Sequence, residues 1–261
     1  MKSTELVLQA DQVESFVTNG FVRLEGGFSG DTAAECREWL WRELKIEPDD
    51  PTGWSQPVVR FMGSTAQPFL DAANTPRIHG AFNQLVGKGR WRPLLGLGTF
   101  AIRFPSETDP EDAGWHVDGS YQVGEHLFLN LQSKSRALLM LYLFSEIGDQ
   151  DVPTRIWIGS HLRVPGILQS ASEAGLPFFR VTEQLRSPKP SEIAFATGAP
   201  GDVYLCHPFL IHAADWPHRG KYPRVIAQPG LEPTDLLHLD RDDRVYSPVE
   251  QAVRQALGMV S

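Results

Sequence analysis

Apolar residues in the first third of the chain and at its end recur at helical spacing. Over residues 9–19, Val13, Phe16 and Val17 fall on one face, and Asn19-Gly20 closes the segment. A short strand follows at residues 21–24. The same spacing predicts three more helical regions: from Ser29 or Asp31 to about Lys45, 66–86 with a break near Pro76, and 249–257.

From about Leu94 onward the pattern changes to short apolar runs separated by turn residues. Many of these runs are β-branched or aromatic, which favours strands. The predicted strands are 99–104, 127–131, 137–147, 154–158, 203–211 and 224–227, and the proline-containing tract 46–58 is predicted to be a loop. Short strands at this spacing are typical of an antiparallel sandwich or barrel.

These elements predict a mainly β fold with flanking helices. We expect one domain over residues 1–261, with a helical N-terminal part at about 1–93, a β-sandwich core at about 94–230 and a C-terminal helix at about 247–258. The counts of 23 glycines and 20 prolines agree with many turns rather than a helical bundle.

Charge and cysteine content narrow the classes of partner. A net charge of −8 and the lack of a basic run with interleaved aromatics argue against nucleic acid or an anionic membrane as the main partner. Two cysteines cannot form a disulfide framework, and the longest apolar run, at 137–144, is too short to cross a bilayer. The first ten residues lack a signal-peptide pattern, so a cytoplasmic location is expected.

The strongest chemical signal lies at residues 114–121, Gly-Trp-His-Val-Asp-Gly-Ser-Tyr. In an extended chain, His116 and Asp118 project to the same side, as two ligands of one metal ion would. His212, at the end of the apolar run 203–211, is the best candidate for a third ligand. Two histidines and one carboxylate leave open coordination positions, as in the facial triad of non-heme Fe(II) oxygenases.

Simpler interpretations of these residues remain open. A His-x-Asp triplet is common as a polar pair at a sheet edge, and a single histidine is most often structural. His207 competes with His212, although its odd spacing favours a hydrogen-bonded strand histidine. Arg224 follows His212 by twelve positions and suits a buried carboxylate partner or, equally, a surface edge strand. The pair of His207 and Arg219 has the same separation, but Arg219 lies in a turn-like segment.

Three segments together resemble a known family. Gly-Trp-His-Val-Asp-Gly, then Gly-Asp-Val-Tyr-Leu-Cys-His-Pro-Phe-Leu-Ile-His, then Pro-Arg-Val are similar to the phytanoyl-CoA dioxygenase family of Fe(II)/2-oxoglutarate oxygenases. The opening at 13–24 and the segment Arg-Ile-Trp-Ile-Gly-Ser-His at 155–161 also resemble that family, although the latter lacks its proline. The resemblance extends over roughly residues 10–230.

The resemblance implies a double-stranded β-helix, the jelly roll of cupin-like proteins. It implies Fe(II) on His116, Asp118 and His212, with Arg224 holding the distal carboxylate of 2-oxoglutarate. The implied reaction consumes O2, releases succinate and CO2, and oxidises a small organic metabolite. Because halogenating relatives carry glycine or alanine at the position of Asp118, hydroxylation or a related oxidation is expected.

One departure from the family concerns co-substrate binding. Many members have serine or threonine two residues after the distal histidine, where this chain has Ala214. We expect Thr99 or a water molecule to take that role. Candidate substrate contacts, forming an aromatic pocket with a cationic anchor, are Arg103, Tyr121, Trp157 and Trp216. No basic cluster stands out to bind the phosphates of an acyl-CoA.

Two other functions use the same triad. A zinc hydrolase would also need two histidines and an aspartate, but it gives no role to Arg224 and lacks an evident general base. A jelly-roll metal-binding module would not require the triad and Arg224 together. The sequence does not indicate an oligomeric state.

Overall fold

A computed structural model describes residues 6–171, 173–185, 187 and 189–259, and seven α-helices and thirteen strands lie in this part of the chain. The helices are α1 (Ala10–Asn19), α2 (Gly30–Leu44), α3 (Gln67–Ala73), α4 (Pro76–Leu85), α5 (Val164–Leu168), α6 (Phe178–Gln184) and α7 (Pro248–Ala256). The strands are β1 (Phe21–Leu24), β2 (Val58–Phe61), β3 (Thr99–Arg103), β4 (Tyr121–Val123), β5 (His126–Leu129), β6 (Leu138–Leu143), β7 (Thr154–Trp157), β8 (Leu176–Pro177), β9 (Ile193–Ala196), β10 (Val203–Cys206), β11 (His212–Ala213), β12 (Arg224–Gln228) and β13 (Gly230–Leu231).

The strands form one large and two small antiparallel sheets. The large sheet has the order β1-β10-β6-β12-β3-β2, and β13 also pairs with β6. One small sheet has the order β11-β7-β9, and the other has the order β4-β5-β8. The large sheet and the β7 sheet are the two layers of a jelly roll, which confirms the predicted fold class.

Strand β6 shows how the two faces of the large sheet are covered. Its six residues are all buried, as expected for a central strand. Leu139, Leu141 and Leu143 pack with Ile156 of β7, whereas Tyr142, on the opposite face, belongs to the cluster that includes residues of the helices. Alternation of side chains along the strand therefore joins the sandwich interior to the helical layer.

The helix boundaries follow the capping signals in the sequence. Ser29 accepts a hydrogen bond from the backbone N–H of Thr32 at 3.0 Å and begins α2. Gly20 ends α1 at a φ of +90°, a conformation that glycine adopts without strain. The predicted break near Pro76 is also present, because Thr75 and Pro76 start a new helix, α4.

Two sequence predictions about the strands are wrong. Residues 203–211 are not one strand, because β10 ends at Cys206 and the N–H of Leu210 bonds the carbonyl of His207 at 2.9 Å in a turn. The chain then crosses to the other sheet as β11, and Pro208 has no N–H to extend a ladder. The tract 46–58 is not wholly loop either, since Val58 begins β2 at the edge of the large sheet.

The region predicted to be mainly helical supplies two strands, β1 and β2, at the opposite edges of the large sheet. None of the described helices is long and apolar enough to cross a bilayer.

Candidate active site

Two histidines far apart in sequence are neighbours because of a single β-bridge. The N–H of His116 bonds the carbonyl of His212, and the N–H of His212 bonds the carbonyl of His116, each at 3.0 Å. The centroids of the two imidazole rings lie 4.5 Å apart. The bridge joins the extended segment around His116 to β11 and fixes both side chains on the same side.

The free ring nitrogens of these histidines converge on Asp118. Nδ1 of His116 lies 2.9 Å from the carbonyl of Gly114, and Nδ1 of His212 lies 3.3 Å from the carbonyl of Leu210. A proton on each Nδ1 leaves each Nε2 with a lone pair. These Nε2 atoms lie 3.5 Å and 3.9 Å from Oδ1 of Asp118.

The donor set fits a divalent metal ion. One ligand atom from each of His116, Asp118 and His212 lies within 4.8 Å of the others. Two imidazoles and one carboxylate are the donors of the facial triad, which leaves coordination positions for other molecules. Backbone carbonyls orient both rings, as is usual for histidine ligands.

Electrostatics keep Asp118 and His212 in metal-binding form, whereas His116 holds its second proton more tightly than a free imidazole, and a bound ion would displace that proton. Burial alone would raise the pKa of Asp118, but His116, His212 and Arg136 outweigh it and hold that pKa well below its usual range. Burial lowers the pKa of His212 to about 4, so its ring is neutral at pH 7. Burial also acts to lower the pKa of His116, but the hydrogen bond and charge of Asp118 raise it overall.

A cavity of about 200 Å³ adjoins the triad and contains a buried arginine. Arg224 is 2% exposed, and its Nη2 donates to Oγ1 of Thr154 at 2.8 Å. Its Nε and Nη1 have no hydrogen-bond partner among the described residues. Burial, and then the charge of Arg103, lower the pKa of Arg224 to about 9. A buried guanidinium with two unpaired donors fits a bidentate carboxylate.

A second arginine beside Arg224 is already neutralised. Arg103 lies opposite Arg224 in the β12–β3 register. Its Nη2 donates to Oδ2 of Asp112 at 2.7 Å, and Arg60 pairs with the same oxygen. Burial acts to raise the pKa of Asp112, but the two arginines lower it, so this group is an ionised carboxylate. Arg224 is therefore the cation in this cavity that lacks a carboxylate partner among the described residues.

A larger cavity of about 910 Å³ lies on the other side of His116. His116 and Asp112 line both cavities and separate the buried arginine from this wider space. Aromatic and aliphatic side chains provide much of its wall: Trp115, Trp157, Phe178, Leu185 and Ile211. The arrangement offers a metal site with a small polar cavity on one side and a large apolar one on the other.

The residues predicted from the sequence to contact substrate lie in different places. Arg103 lines the smaller cavity and Trp157 lines the larger one. Tyr121 lines neither, and its hydroxyl donates to the carbonyl of Ala174 at 2.7 Å. Trp216 is 39% exposed and borders a separate void of about 10 Å³.

The residue that the sequence predicts to replace the missing serine or threonine is Thr99, but the structure places a different hydroxyl group in the cavity. Thr99 shares a face of β3 with Ala101 and Arg103, but it does not line the cavity, and its Oγ1 lies 3.9 Å from the sulfur of Met62. Thr154 lines the cavity and contacts Arg224 directly. Sequence reasoning missed Thr154, because β7 places it there without a motif of its own.

The alternative histidine and arginine lie away from the triad. His207 accepts a hydrogen bond from the N–H of Phe209 at Nδ1 (3.1 Å), and its Nε2 lies 3.2 Å from the carbonyl of Val249. Both ring nitrogens are thus engaged in the core. Arg219 is exposed and pairs with Glu107 at 3.4 Å. The geometry therefore brings His212 and Arg224, rather than His207 and Arg219, to the His-x-Asp pair.

Known proteins share this fold at low sequence identity. No family model and no curated protein sequence matches the chain. HygX from Streptomyces hygroscopicus, solved with nickel, 2-oxoglutarate and hygromycin B, is 18% identical with a TM-score of 0.57, covering 92% of this chain and 96% of its own. EctD from S. alaskensis, solved with 2-oxoglutarate and 5-hydroxyectoine, is 19% identical with a TM-score of 0.54, covering 88% and 77%. GIG2 from Candida albicans is 14% identical with a TM-score of 0.61, covering 88% and 64%.

Proposed function

We propose that this protein is an Fe(II)/2-oxoglutarate-dependent oxygenase that oxidises a small organic molecule and releases succinate and CO2. One observation carries the proposal. The convergent triad of His116, Asp118 and His212 shares a cavity with Arg224, a buried cation with two donors that no described residue accepts. The solved structures of HygX and EctD with 2-oxoglutarate, which have the same fold, support it.

Each residue has a defined role in this proposal. His116, Asp118 and His212 would hold Fe(II), and Arg224 with Thr154 would hold the distal carboxylate of 2-oxoglutarate. Bound Fe(II) and 2-oxoglutarate would supply the oxidising chemistry, with O2 as the oxidant. The Nδ1 hydrogen bonds keep both imidazoles aimed at the ion. Because Asp118 occupies a position that a halide would need, oxidation by oxygen is favoured over halogenation.

The two competing functions leave parts of the site without a role. For a zinc hydrolase, Asp112 is the carboxylate beside the triad, and Arg60 and Arg103 engage it, so it is a poor general base. A metal-binding module would have no use for Arg224, whose burial without a counter-ion is unfavourable.

The test combines metal binding with co-substrate turnover. Wild-type protein supplied with Fe(II), O2 and 2-oxoglutarate should release succinate slowly, and faster with its substrate, which a metabolite screen by succinate yield would find. Asp118→Ala should lose Fe(II) binding and still unfold in a single cooperative transition, at a melting temperature somewhat below that of the metal-free wild type because Arg136 loses its partner. Iron bound equally well by Asp118→Ala, or iron-loaded wild type that never consumes 2-oxoglutarate, would contradict the proposal.

A further inference from the structure

The indole rings of Trp115 and Trp157 form one wall of the larger cavity next to the triad, here called the indole wall. Their ring centroids lie 6.3 Å apart in an edge-to-face arrangement. Trp115 directly precedes His116, so a molecule in contact with this wall is adjacent to the proposed metal ion.

Each indole ring has a guanidinium close to it. The guanidinium of Arg155 lies 5.1 Å from the ring centroid of Trp115, and that of Arg163 lies 4.5 Å from that of Trp157. Neither arginine lines the cavity. Each ring is therefore already in contact with a cation, and repulsion from that cation opposes the binding of a second one.

The charged residues that line the cavity also do not favour a cationic ligand. Lys189 lines it, and its lining carboxylate Asp112 is paired with two arginines, Arg60 and Arg103. Glu111 also lines the cavity, but Glu111 and Lys189 are both exposed to solvent, where their opposite charges are screened. Among the described residues of this wall, a positively charged ligand would therefore meet no buried carboxylate that is free of an arginine, whereas an apolar ring would meet matching surfaces.

We propose, resting on the proposed function, that the substrate presents a flat apolar ring system without a positive charge to Trp115 and Trp157. The ring would pack on the indole wall, which places its edge or a substituent beside His116. A volume of about 910 Å³ accommodates a molecule considerably larger than one ring.

The test uses three probes that share one ring and differ in charge: 2-naphthol, 2-naphthoate and 2-naphthylmethylammonium. Equilibrium dialysis is done with metal-free protein and without 2-oxoglutarate, so the outcome is independent of oxygenase activity. The neutral and anionic probes should bind roughly tenfold more tightly than the cationic one. A cationic probe that binds as tightly as the others, or failure of all three to bind, overturns the proposal.

A matched pair of variants locates the binding. Trp157→Leu keeps an apolar side chain but removes the ring, and should weaken 2-naphthol binding by roughly threefold to tenfold. Trp216→Leu removes an indole outside the cavity and should leave binding unchanged. Equal losses in both variants, or none in Trp157→Leu, would show that the probe does not bind at the indole wall.

A separate observation concerns the carboxylate of the triad. Nη1 of Arg136 donates to Oδ2 of Asp118 at 2.9 Å, while Oδ1 faces the two histidines. Arg136 is held by a turn in which its N–H bonds the carbonyl of Ser133 at 3.1 Å and the hydroxyl of Ser133 bonds its carbonyl at 2.7 Å. The arginine thus occupies one oxygen of Asp118 and leaves the other for the ion.

Two effects of this arginine on a bound cation oppose each other. Its positive charge repels the ion, which lowers affinity. Its hydrogen bond fixes the carboxylate and disfavours chelation by both oxygens, which keeps a coordination position open. We infer, again resting on the proposed function, that the second effect is larger and that Arg136 is a positioning residue for Asp118.

Binding of Mn(II) or Co(II) alone separates the two effects. Arg136→Gln should weaken binding by roughly tenfold to a hundredfold and change the visible spectrum of the Co(II) form, because Asp118 is free to rotate. Arg136→Lys should recover part of the affinity. Arg92→Gln, which alters an exposed pair with Glu232, is the matched control. Affinity that is unchanged or higher in Arg136→Gln overturns the inference, whereas wild type that binds no metal contradicts the proposed function instead.

Discussion

Arg224 is a buried cation with one hydrogen-bond partner among the described residues, Thr154. Loss of a charge-assisted contact to the co-substrate should cost about 2–4 kcal/mol, or roughly 30-fold to 1000-fold in 2-oxoglutarate affinity. Arg224→Met should show this loss when 2-oxoglutarate is titrated anaerobically into the Fe(II) form. Arg219→Met, at the exposed alternative arginine, should bind like wild type. A larger loss in Arg219→Met would reverse the assignment.

The hydroxyl of Thr154 can be removed with little change of shape. Thr154→Val leaves Nη2 of Arg224 without its partner and should lower the free energy of unfolding by about 1–3 kcal/mol. Thr154→Ser retains the acceptor and should lose much less. Urea unfolding measures both. If serine, which lacks the methyl group, is more destabilising than valine, packing of the methyl group contributes more than the hydrogen bond.

The residue scale also shows what sequence could identify in the site. His116, Asp118, His212 and Arg224 stand at recognisable spacing, and the structure brings all four together. Thr154 carries no such mark, since its role comes from a contact between β7 and β12, which belong to different sheets. Its contact joins residues 70 positions apart, a relation that local patterns do not encode.

At the scale of elements, helix α7 is fixed by a buried carboxylate. Glu250 accepts hydrogen bonds from Nη1 of Arg90 and the N–H groups of His238 and Ser247, each at 2.9 Å. Burial acts to raise its pKa, but Arg90 and these bonds lower it to about 2. Ionised Glu250 therefore stabilises the fold above the unfolded pKa of 4.5, and this contribution is lost as pH falls toward 2.

Glu250→Gln should lower the free energy of unfolding by about 3 kcal/mol at pH 7, and the difference from wild type should shrink as pH falls below 4.5. Urea unfolding at pH 7, 4.5 and 3 measures the difference. Glu183→Gln, in an exposed pair with Arg180, is the matched control and should have little effect at any of these pH values. A difference that stays constant with pH would assign the effect to packing.

Elements with a strong local pattern were predictable, and those defined by distant partners were not. Capping residues and apolar periodicity identify α1, α2, α4 and α7 to within about two residues. Strand β9, at the edge of its sheet, exposes its large residues Ile193 and Phe195 and buries the small Ala196, so its apolar pattern does not mark the buried face. The split between β10 and β11 depends on the chain changing sheets, which the continuous apolar run conceals.

At the scale of the whole molecule, a bound ion should stabilise the fold by mass action. Mn(II) at a concentration of 100 times its Kd should add about 2.7 kcal/mol. For a chain of 261 residues this should raise the melting temperature by roughly 5–10 °C, and EDTA should reverse the shift. Asp118→Ala should show no metal-dependent shift in the same melt. A shift of equal size in the variant would place the ion elsewhere.

Strand β1 is synthesised long before β10, the strand with which it pairs. Arg23 and Asp202 form an ion pair across 179 positions of sequence. At ribosomal rates of about 5–20 residues per second, β10 is synthesised on the order of 10–40 s after β1. Until then the backbone N–H and C=O groups of β1 lack the partners that β10 provides in the finished fold. The unpaired strand is therefore open to wrong pairing during that interval, and His212, the last residue of the candidate metal site, is synthesised only after it.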